Sequence, residues 1–101
     1  MDKPKPLDPV HPGEILLEEF LRPLGMSAYA AAKVMGVPRT RVERLMRHEA
    51  SITPDTALRL ERAFGSSAEM WMGLQAGYDL EVARLAHDVS LDAIRRVIAA
   101  E

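Results

Sequence analysis

The segment of residues 37–48 constrains this chain more than any other, because it has the pattern of an amphipathic helix with arginines on its outer side. At about 100° per residue, Val42, Leu45 and Met46 gather on one side of this helix. The opposite side and its amino-terminal flanks carry the following residues: Arg39, Thr40, Arg41, Arg44 and Arg47. The charged side of such a helix is either an ordinary solvated surface or a surface that presents guanidinium groups to a DNA major groove.

The segment just before this helix favours the second interpretation. Ser27 can cap a helix over Ala28–Met35, and Gly36 can adopt the positive φ that ends it. Pro38 then suits the first turn of the next helix. The sequence therefore predicts two helices joined by a short turn. The following positions have the spacing of a helix-turn-helix motif: Ala32, Gly36, Val37, Val42 and Leu45.

The charge of the chain is divided in a way that fits an anionic partner for this motif. The net charge is −2, but residues 27–50 sum to +3, with five basic and two acidic residues. Residues 1–26 sum to −2 and residues 51–101 to −3. Positive charge is thus concentrated on the predicted helix-turn-helix, and the acidic flanks are compatible with a basic partner.

Length and composition indicate one small domain. The chain has 101 residues, 48% of them apolar, which supports a single modest core. It contains no cysteine, so neither a disulfide framework nor a thiolate metal site is expected. No apolar run has the length of a signal peptide or a membrane span, and we therefore expect a cytoplasmic protein.

The amino-terminal part is predicted to be an arm followed by a helix. Residues 1–10 contain three prolines and mixed charge, and we expect them to form a flexible arm. Pro12 suits the first position of a helix, and Glu14 lies in its first turn. Pro23 and Gly25 are expected to stop this first helix.

Two further helices are predicted after the motif. The fourth spans Pro54–Phe64, with Thr53 as its candidate cap. Its apolar face consists of Ala57, Leu60 and Phe64. Ser66 and Glu69 have the spacing of a capping box that opens the fifth helix. That helix carries a stripe at i, i+3 and i+7, namely Trp71, Leu74 and Tyr78. We interpret this stripe as core rather than as a ligand-binding box.

The carboxyl-terminal segment, residues 86–101, is predicted to form a last helix and is a candidate dimerisation element. Ser90 can cap this helix. Its apolar side consists of Leu91, Ile94, Val97 and Ile98. Such a stripe either packs back on the bundle or meets the same stripe on a second chain. We expect a homodimer, with a dimer through the first helix as the rival arrangement.

A search for catalytic chemistry gives no site. The three histidines His11, His48 and His87 lie far apart in sequence, and no two have the i, i+4 spacing of a helical metal site. The serines lack a Gly-x-Ser-x-Gly elbow, and the glycines belong to no phosphate-binding loop. We therefore expect no enzyme activity, no metal and no cofactor.

Four ordered segments of this sequence resemble the HigA antitoxins, which belong to the Xre-type helix-turn-helix proteins. They are HPGEIL at residues 11–16, the helix-turn-helix at residues 27–48, SITPDTALRL at residues 51–60, and WMGLQAGYDL at residues 71–80. The resemblance covers roughly residues 10–85, which gives a DNA-binding domain over residues 11–85. Residues 86–101 lie outside it.

The resemblance implies both a fold and a function. The fold is an all-α bundle of five to six helices of the lambda-repressor-like helix-turn-helix type, assembled as a dimer. The function is binding to an operator ahead of the protein's own operon and neutralisation of a HigB toxin. In that family the toxin is a small basic endonuclease that cleaves mRNA in a ribosome-dependent manner.

The sequence departs from the family pattern at the start of the second helix. The family commonly has a glutamine there that contacts a phosphate, and often a glutamate two residues later, where this chain has Ala28 and Ala30. Tyr29 and Lys33 face outward on the same helix and can replace the missing phosphate contact. The candidate DNA contacts are therefore Ser27, Tyr29, Lys33, Arg39, Thr40, Arg41, Arg44 and Arg47. Because arginine is the usual bidentate reader of guanine, we expect a half-site that contains G.

Three functions remain open from the sequence. The first is an autorepressor that is also an antitoxin. The second is a stand-alone Xre-type regulator without a toxin. The third is a protein-interaction module whose helix-turn-helix has lost DNA binding. Ala28 and Ala30 favour the third slightly, whereas the arginine-rich outer face favours the first two more strongly.

Overall fold

The computed structural model describes residues 8–98. These residues form five α-helices and one short 3-10 helix, joined by loops. We name residues 12–24 α1, and the other helices are α2 (Ala28–Met35), α3 (Arg39–Met46), α4 (Pro54–Phe64) and α5 (Ala68–Ala86). The 3-10 helix spans Val89–Ala93. No β-strand occurs within residues 8–98. The predicted all-α bundle is therefore confirmed.

Helix α1 is continuous but changes its winding. It starts as an α-helix over Pro12–Ile15, widens to a π-helix over Leu16–Leu21 and ends over Arg22–Leu24. Gly25, with a φ of 64°, ends it as predicted. Pro23, which was also expected to stop the helix, lies inside its last turn. The wider π-helical turn accommodates the Pro23 ring. In this turn the Arg22 N–H donates to the carbonyl of Leu17, five residues earlier, as in a π-helix.

The predicted caps are largely confirmed. The Ser27 hydroxyl accepts a hydrogen bond from the Ala30 N–H, and the Thr53 hydroxyl accepts one from the Thr56 N–H. Helix α5 is capped by Ser67 instead of Ser66, because the Ser67 hydroxyl accepts from Met70 N–H. Pro38 is the N-cap of α3, one position before the first turn in which it was expected.

The core lies where α1, α2, α3, α4 and α5 converge. Its fully buried members are Leu16, Leu21, Ala31, Ala32, Met35, Val42, Leu45, Ile52, Ala57, Leu60 and Trp71. Trp71 packs against Phe20, with ring centroids 5.3 Å apart. Leu74 and Tyr78 are half-buried on the same helix. The interpretation of the aromatic stripe as core is thus right for Trp71 and partly right for the other two.

The predicted last α-helix is wrong. His87, with a φ of 46°, ends α5, and the chain continues as the 3-10 helix Val89–Ala93. The cap of that short helix is Asp88, whose carboxylate accepts from the Ser90 N–H at 2.9 Å. Ile94 is already extended. Within residues 8–98 no other element covers this segment, whose residues are exposed. A helix of about 12 residues has too little internal stability to form without packing.

The predicted arm is described only in part. Residues 1–7 and residues 99–101 lie outside the described residues. Pro9 and Val10, at the end of the predicted arm, line a cleft of about 310 Å³ together with α5 residues that include Gly77 and Tyr78.

Candidate nucleic-acid interface

The two motif helices, α2 and α3, are held in the register that the sequence predicts. Ala32 is buried, as are Val42 and Leu45 on the inner side of α3. Gly36 ends α2 with a φ of 72°, and the next amide, Val37 N–H, donates to the Ala32 carbonyl at 3.0 Å. The outer side of α3 is consequently turned away from the core.

The start of α1 braces the carboxyl end of α3. The His11 imidazole caps its own helix by accepting the Gly13 N–H at Nδ1, 2.9 Å away. Gly13 packs directly on the Leu45 carbonyl group. A side chain at position 13 would occupy this space. The glycine of the HPG sequence therefore allows the start of α1 to pack closely on α3.

Two histidines that are far apart in sequence meet at this brace. The His11 and His48 rings are stacked, with centroids 4.6 Å apart and planes 11° apart. Tyr78 meets His11 edge-on at 4.8 Å. Burial, followed by the charge of His48, lowers the pKa of His11 from its usual value. Their spacing in the sequence gives no reason to connect these residues, because only the fold makes them neighbours.

A buried glutamine fixes the loop between α3 and α4. Gln75 Oε1 accepts the Ile52 N–H at 2.7 Å, and its Nε2 donates to Asp79 at 2.9 Å. Gln75 is one residue after the predicted apolar position Leu74. The hydropathy pattern gave no signal for it, because a polar side chain on a helix is usually solvated.

The candidate DNA contacts are carried by α2, by its N-cap residue and by α3. Most are exposed, namely Ser27, Tyr29, Lys33, Arg39, Thr40, Arg44 and Arg47. Tyr29 and Lys33 lie one helical turn apart on α2. Ser27 is also engaged as the cap of that helix. Arg41 is half-buried at the edge of the surface.

Carboxylates accompany several of these arginines. Arg39 Nε lies 3.3 Å from Glu43, and Arg47 Nε lies 3.4 Å from Glu49. Both pairs are largely exposed, so each contributes little to stability and can open when DNA binds.

Arg41 belongs to a different arrangement, which we call the arginine-carboxylate triad: Arg41, Asp55 and Arg59. Asp55 Oδ2 accepts from Arg41 Nη1 at 2.7 Å and from Arg59 Nε at 3.0 Å. These two hydrogen bonds, that of Arg41 first, lower the pKa of Asp55. Sequence periodicity gives no sign of this triad, because Arg41 lies on α3 whereas Asp55 and Arg59 lie on α4.

The structure offers no support for metal chemistry in the described part of the chain. Within residues 8–98, no three His, Cys, Asp or Glu side chains are grouped as metal ligands would be. None of the helices in this range is long and apolar enough to cross a membrane.

The fold and the arginine-bearing outer surface of α3 define a helix-turn-helix protein. The family model described as "Helix-turn-helix" matches residues 17–71. The "Virulence-associated protein I" of Dichelobacter nodosus is 50% identical over 74 residues, which are 73% of this chain and 68% of that protein. The "Antitoxin HigA-1" of Vibrio cholerae is 39% identical over 72 residues, which are 71% of this chain and 68% of that protein.

Solved structures agree with this assignment. The Pseudomonas aeruginosa antitoxin HigA, solved with the higBA promoter, superposes with a TM-score of 0.84 at 37% identity, over 89% of this chain and 99% of that one. The antitoxin GraA, in complex with its operator, also gives 0.84, at 35% identity over 98% and 99% of the two chains. The chain belongs to the HigA-type antitoxins of the Xre helix-turn-helix family. The predicted fold type and family are therefore confirmed.

Proposed function

We propose that the protein is a sequence-specific DNA-binding antitoxin, which represses its own operon and neutralises a HigB-type mRNA endonuclease. The observation that carries the DNA-binding part is the exposed surface of α3. There, Arg44 and Arg47 project from a helix whose opposite side is fully buried. A rigid helix with guanidinium groups on its free side fits the major groove. The structural relatives bound to promoter or operator DNA support the same role.

The proposal includes a homodimer. Apolar side chains are exposed at the end of α5 and beyond it, among them Leu85 at 53%, Ile94 at 71% and Val97 at 97%. Large apolar side chains that stay exposed along one segment favour a protein interface there. The rival dimer through α1 is less favourable, because Leu16 and Leu21 of that helix are used in the protein's own core.

The proposal assigns no enzyme activity to the protein and places it in the cytoplasm, where a chromosomal operator is accessible. His11 and His48 have structural surroundings, because His11 caps α1 and stacks on His48. The catalytic step of the system would belong to the toxin, and this chain would supply binding surfaces only.

DNA binding is tested with the duplex that lies upstream of the protein's own gene. Fluorescence anisotropy at several salt concentrations should give an affinity above that for a scrambled duplex, and log K should fall linearly with log salt. Equal affinity for both duplexes would favour the interaction module that has lost specific DNA binding.

The antitoxin role is tested by searching beside this gene for a small basic open reading frame and co-expressing that frame with this chain. We expect that gene to stop growth alone and to be neutralised by this chain. The double variant Arg44→Ala, Arg47→Ala is the matched control, because it should lose operator binding and still rescue growth. An operator-binding chain without a toxic neighbour would be a stand-alone regulator.

A further inference from the structure

We propose that Asp55 is a positioning residue for DNA docking, which holds the Arg41 guanidinium at the edge of the recognition surface for one phosphate of the DNA backbone. This inference rests on the proposed DNA-binding function. It assigns a role in docking to a carboxylate, a group that DNA would otherwise repel.

The connections of the triad support this role. Arg41 lies in the first turn of α3, and Asp55 lies in the first turn of α4. Arg59 Nη1 donates to the carbonyl of Met35 at 2.9 Å and to that of Gly36 at 3.3 Å, at the end of α2. The triad therefore joins both helices of the motif to α4, and the Arg41 guanidinium is fixed to the frame that orients them.

The charges of the triad leave Arg41 available for an external anion. Asp55 has two arginine partners, so Arg59 balances its charge and the triad remains positive by one. A guanidinium has five N–H donors, and the hydrogen bond to Asp55 uses only Nη1 of Arg41. Arg41 can thus bind a phosphate without leaving Asp55. The pairs of Arg39 with Glu43 and of Arg47 with Glu49 have one carboxylate for each arginine.

The position of Arg41 favours a phosphate over a base. At about 100° per residue, Arg41 lies roughly 60° around the helix from Arg44, toward the flank of α3. A helix that enters the major groove has phosphates beside its flanks and base edges in front of its outer side. Phosphate contacts fix the register in which the other side chains meet the bases. Asp55 would therefore act on specificity through Arg41.

The two explanations of Asp55 predict different effects on the ratio between operator and scrambled-DNA affinity: competition leaves the ratio unchanged, and positioning of Arg41 makes it depend on Asp55. If Asp55 only competes with DNA for Arg41, Asp55→Asn should tighten binding to every duplex equally. If Asp55 positions Arg41, the variant should bind scrambled DNA as well as before or better. Its affinity ratio between operator and scrambled DNA should then fall, because a free guanidinium finds any phosphate but no longer fixes the register.

The experiment uses the full-length chain and an operator duplex that the wild type selects from random duplexes. Anisotropy titrations with this duplex and a scrambled one give the ratio for each variant. We expect Asp55→Asn to lower the ratio roughly fivefold or more, within the range of coupled contacting residues. Glu18→Gln is the matched control, since it removes one carboxylate beside an exposed arginine, Arg22, that is not a candidate DNA contact, and it should leave the ratio unchanged.

A double-mutant cycle tests whether Asp55 acts through Arg41. In the Arg41→Ala background, Asp55→Asn should no longer change the ratio. Arg41→Lys keeps the charge without the planar fork, and it should lower the ratio as Asp55→Asn does. The lysine variant also tests the inference if circular dichroism reveals that Asp55→Asn is unfolded.

Single methylphosphonate substitutions in the operator identify the contact. At one phosphate in each half-site, the substitution should lower the affinity of the wild type. The same substitution should not change the affinity of Arg41→Ala. An unchanged ratio for Asp55→Asn, a persisting effect without Arg41, or a sensitivity to one base pair in place of a phosphate would each overturn the inference. A wild type that selects no sequence at all would refute the proposed function itself, a result distinct from these three.

Discussion

Gly13 lies directly against the backbone of Leu45, so that a Cβ built on Gly13 would stand 2.7 Å from the Leu45 carbonyl carbon. Gly13→Ala should therefore force the start of α1 away from the end of α3. Overpacking of this kind costs about 1–3 kcal/mol of unfolding free energy. Each kcal/mol lowers the melting temperature of a domain this size by about 4–8 °C, which calorimetry can measure.

The matched control is Gly73→Ala, in the interior of α5, where a Cβ would meet no atom within 4 Å. This variant should be more stable than the wild type by roughly 0.5–1 kcal/mol, because alanine favours a helix over glycine. Equal melting temperatures for the two variants would contradict the close contact at Gly13.

The brace at Gly13 also illustrates what sequence reasoning can reach. Local signals placed α2, α3 and α4, because caps such as Ser27 and Thr53 and helix ends such as Gly36 act over a few residues. The need for glycine at position 13 depends on a contact 32 positions away, with Leu45, and no local pattern carries that information.

The same limit applies to the candidate site. Periodicity identified the outer side of α3, but it gave no reason to connect Arg41 with Asp55, which belongs to another helix. The last predicted helix failed for a related reason: its apolar spacing was read as a packing face, and within the described chain nothing packs on it.

Because Gln75 accepts a buried hydrogen bond from Ile52, replacing Gln75 by a side chain of similar volume should still lower the free energy of unfolding markedly. Gln75→Leu leaves the buried Ile52 N–H without its acceptor. An unsatisfied buried donor costs about 1–3 kcal/mol, which urea denaturation can measure. Asp79→Asn is the control, because it keeps an acceptor for Gln75 Nε2 and should change stability by less than about 0.5 kcal/mol. A Gln75→Leu variant as stable as the control would exclude this role of the amide.

The lowered pKa of His11 predicts a loss of stability in acid. Burial and then His48 lower this pKa, and they outweigh the Ala50 hydrogen bond and the Asp79 charge that act the other way. The folded protein thus binds fewer protons than the unfolded chain below the ordinary histidine pKa of 6.5. This contribution to stability is complete above pH 6.5 and is lost as the pH falls through the lower folded pKa.

His11→Asn isolates this contribution. Asparagine can still accept the Gly13 N–H as a cap but does not titrate. Urea denaturation between pH 7.5 and pH 5, roughly the range of an ordinary histidine, should give a flatter pH dependence than the wild type. A slope that survives in His11→Asn would assign the pH dependence to another group.

The outer surface of the motif predicts two kinds of DNA-binding defect. Arg44→Ala should weaken operator binding by roughly 1–3 kcal/mol with little change in melting temperature, because a base contact is lost from an exposed side chain. Lys33→Ala should weaken binding to all sequences alike and reduce the salt slope by about 1. Anisotropy on the operator and a scrambled duplex measures both. A loss confined to one operator variant would contradict the phosphate role of Lys33.

Removal of residues 88–101 tests the proposed dimer. Leu91, Ile94 and Ile98 are exposed at 58%, 71% and 80%, so their loss should leave the core of α1 to α5 folded. Because a dimer presents two recognition helices about one DNA turn apart, a monomer should lose most operator affinity even with every arginine intact. Light scattering on the truncated chain should give the mass of a monomer. A soluble, folded dimer of the truncated chain would rule out this segment as the interface and would favour the rival dimer through α1.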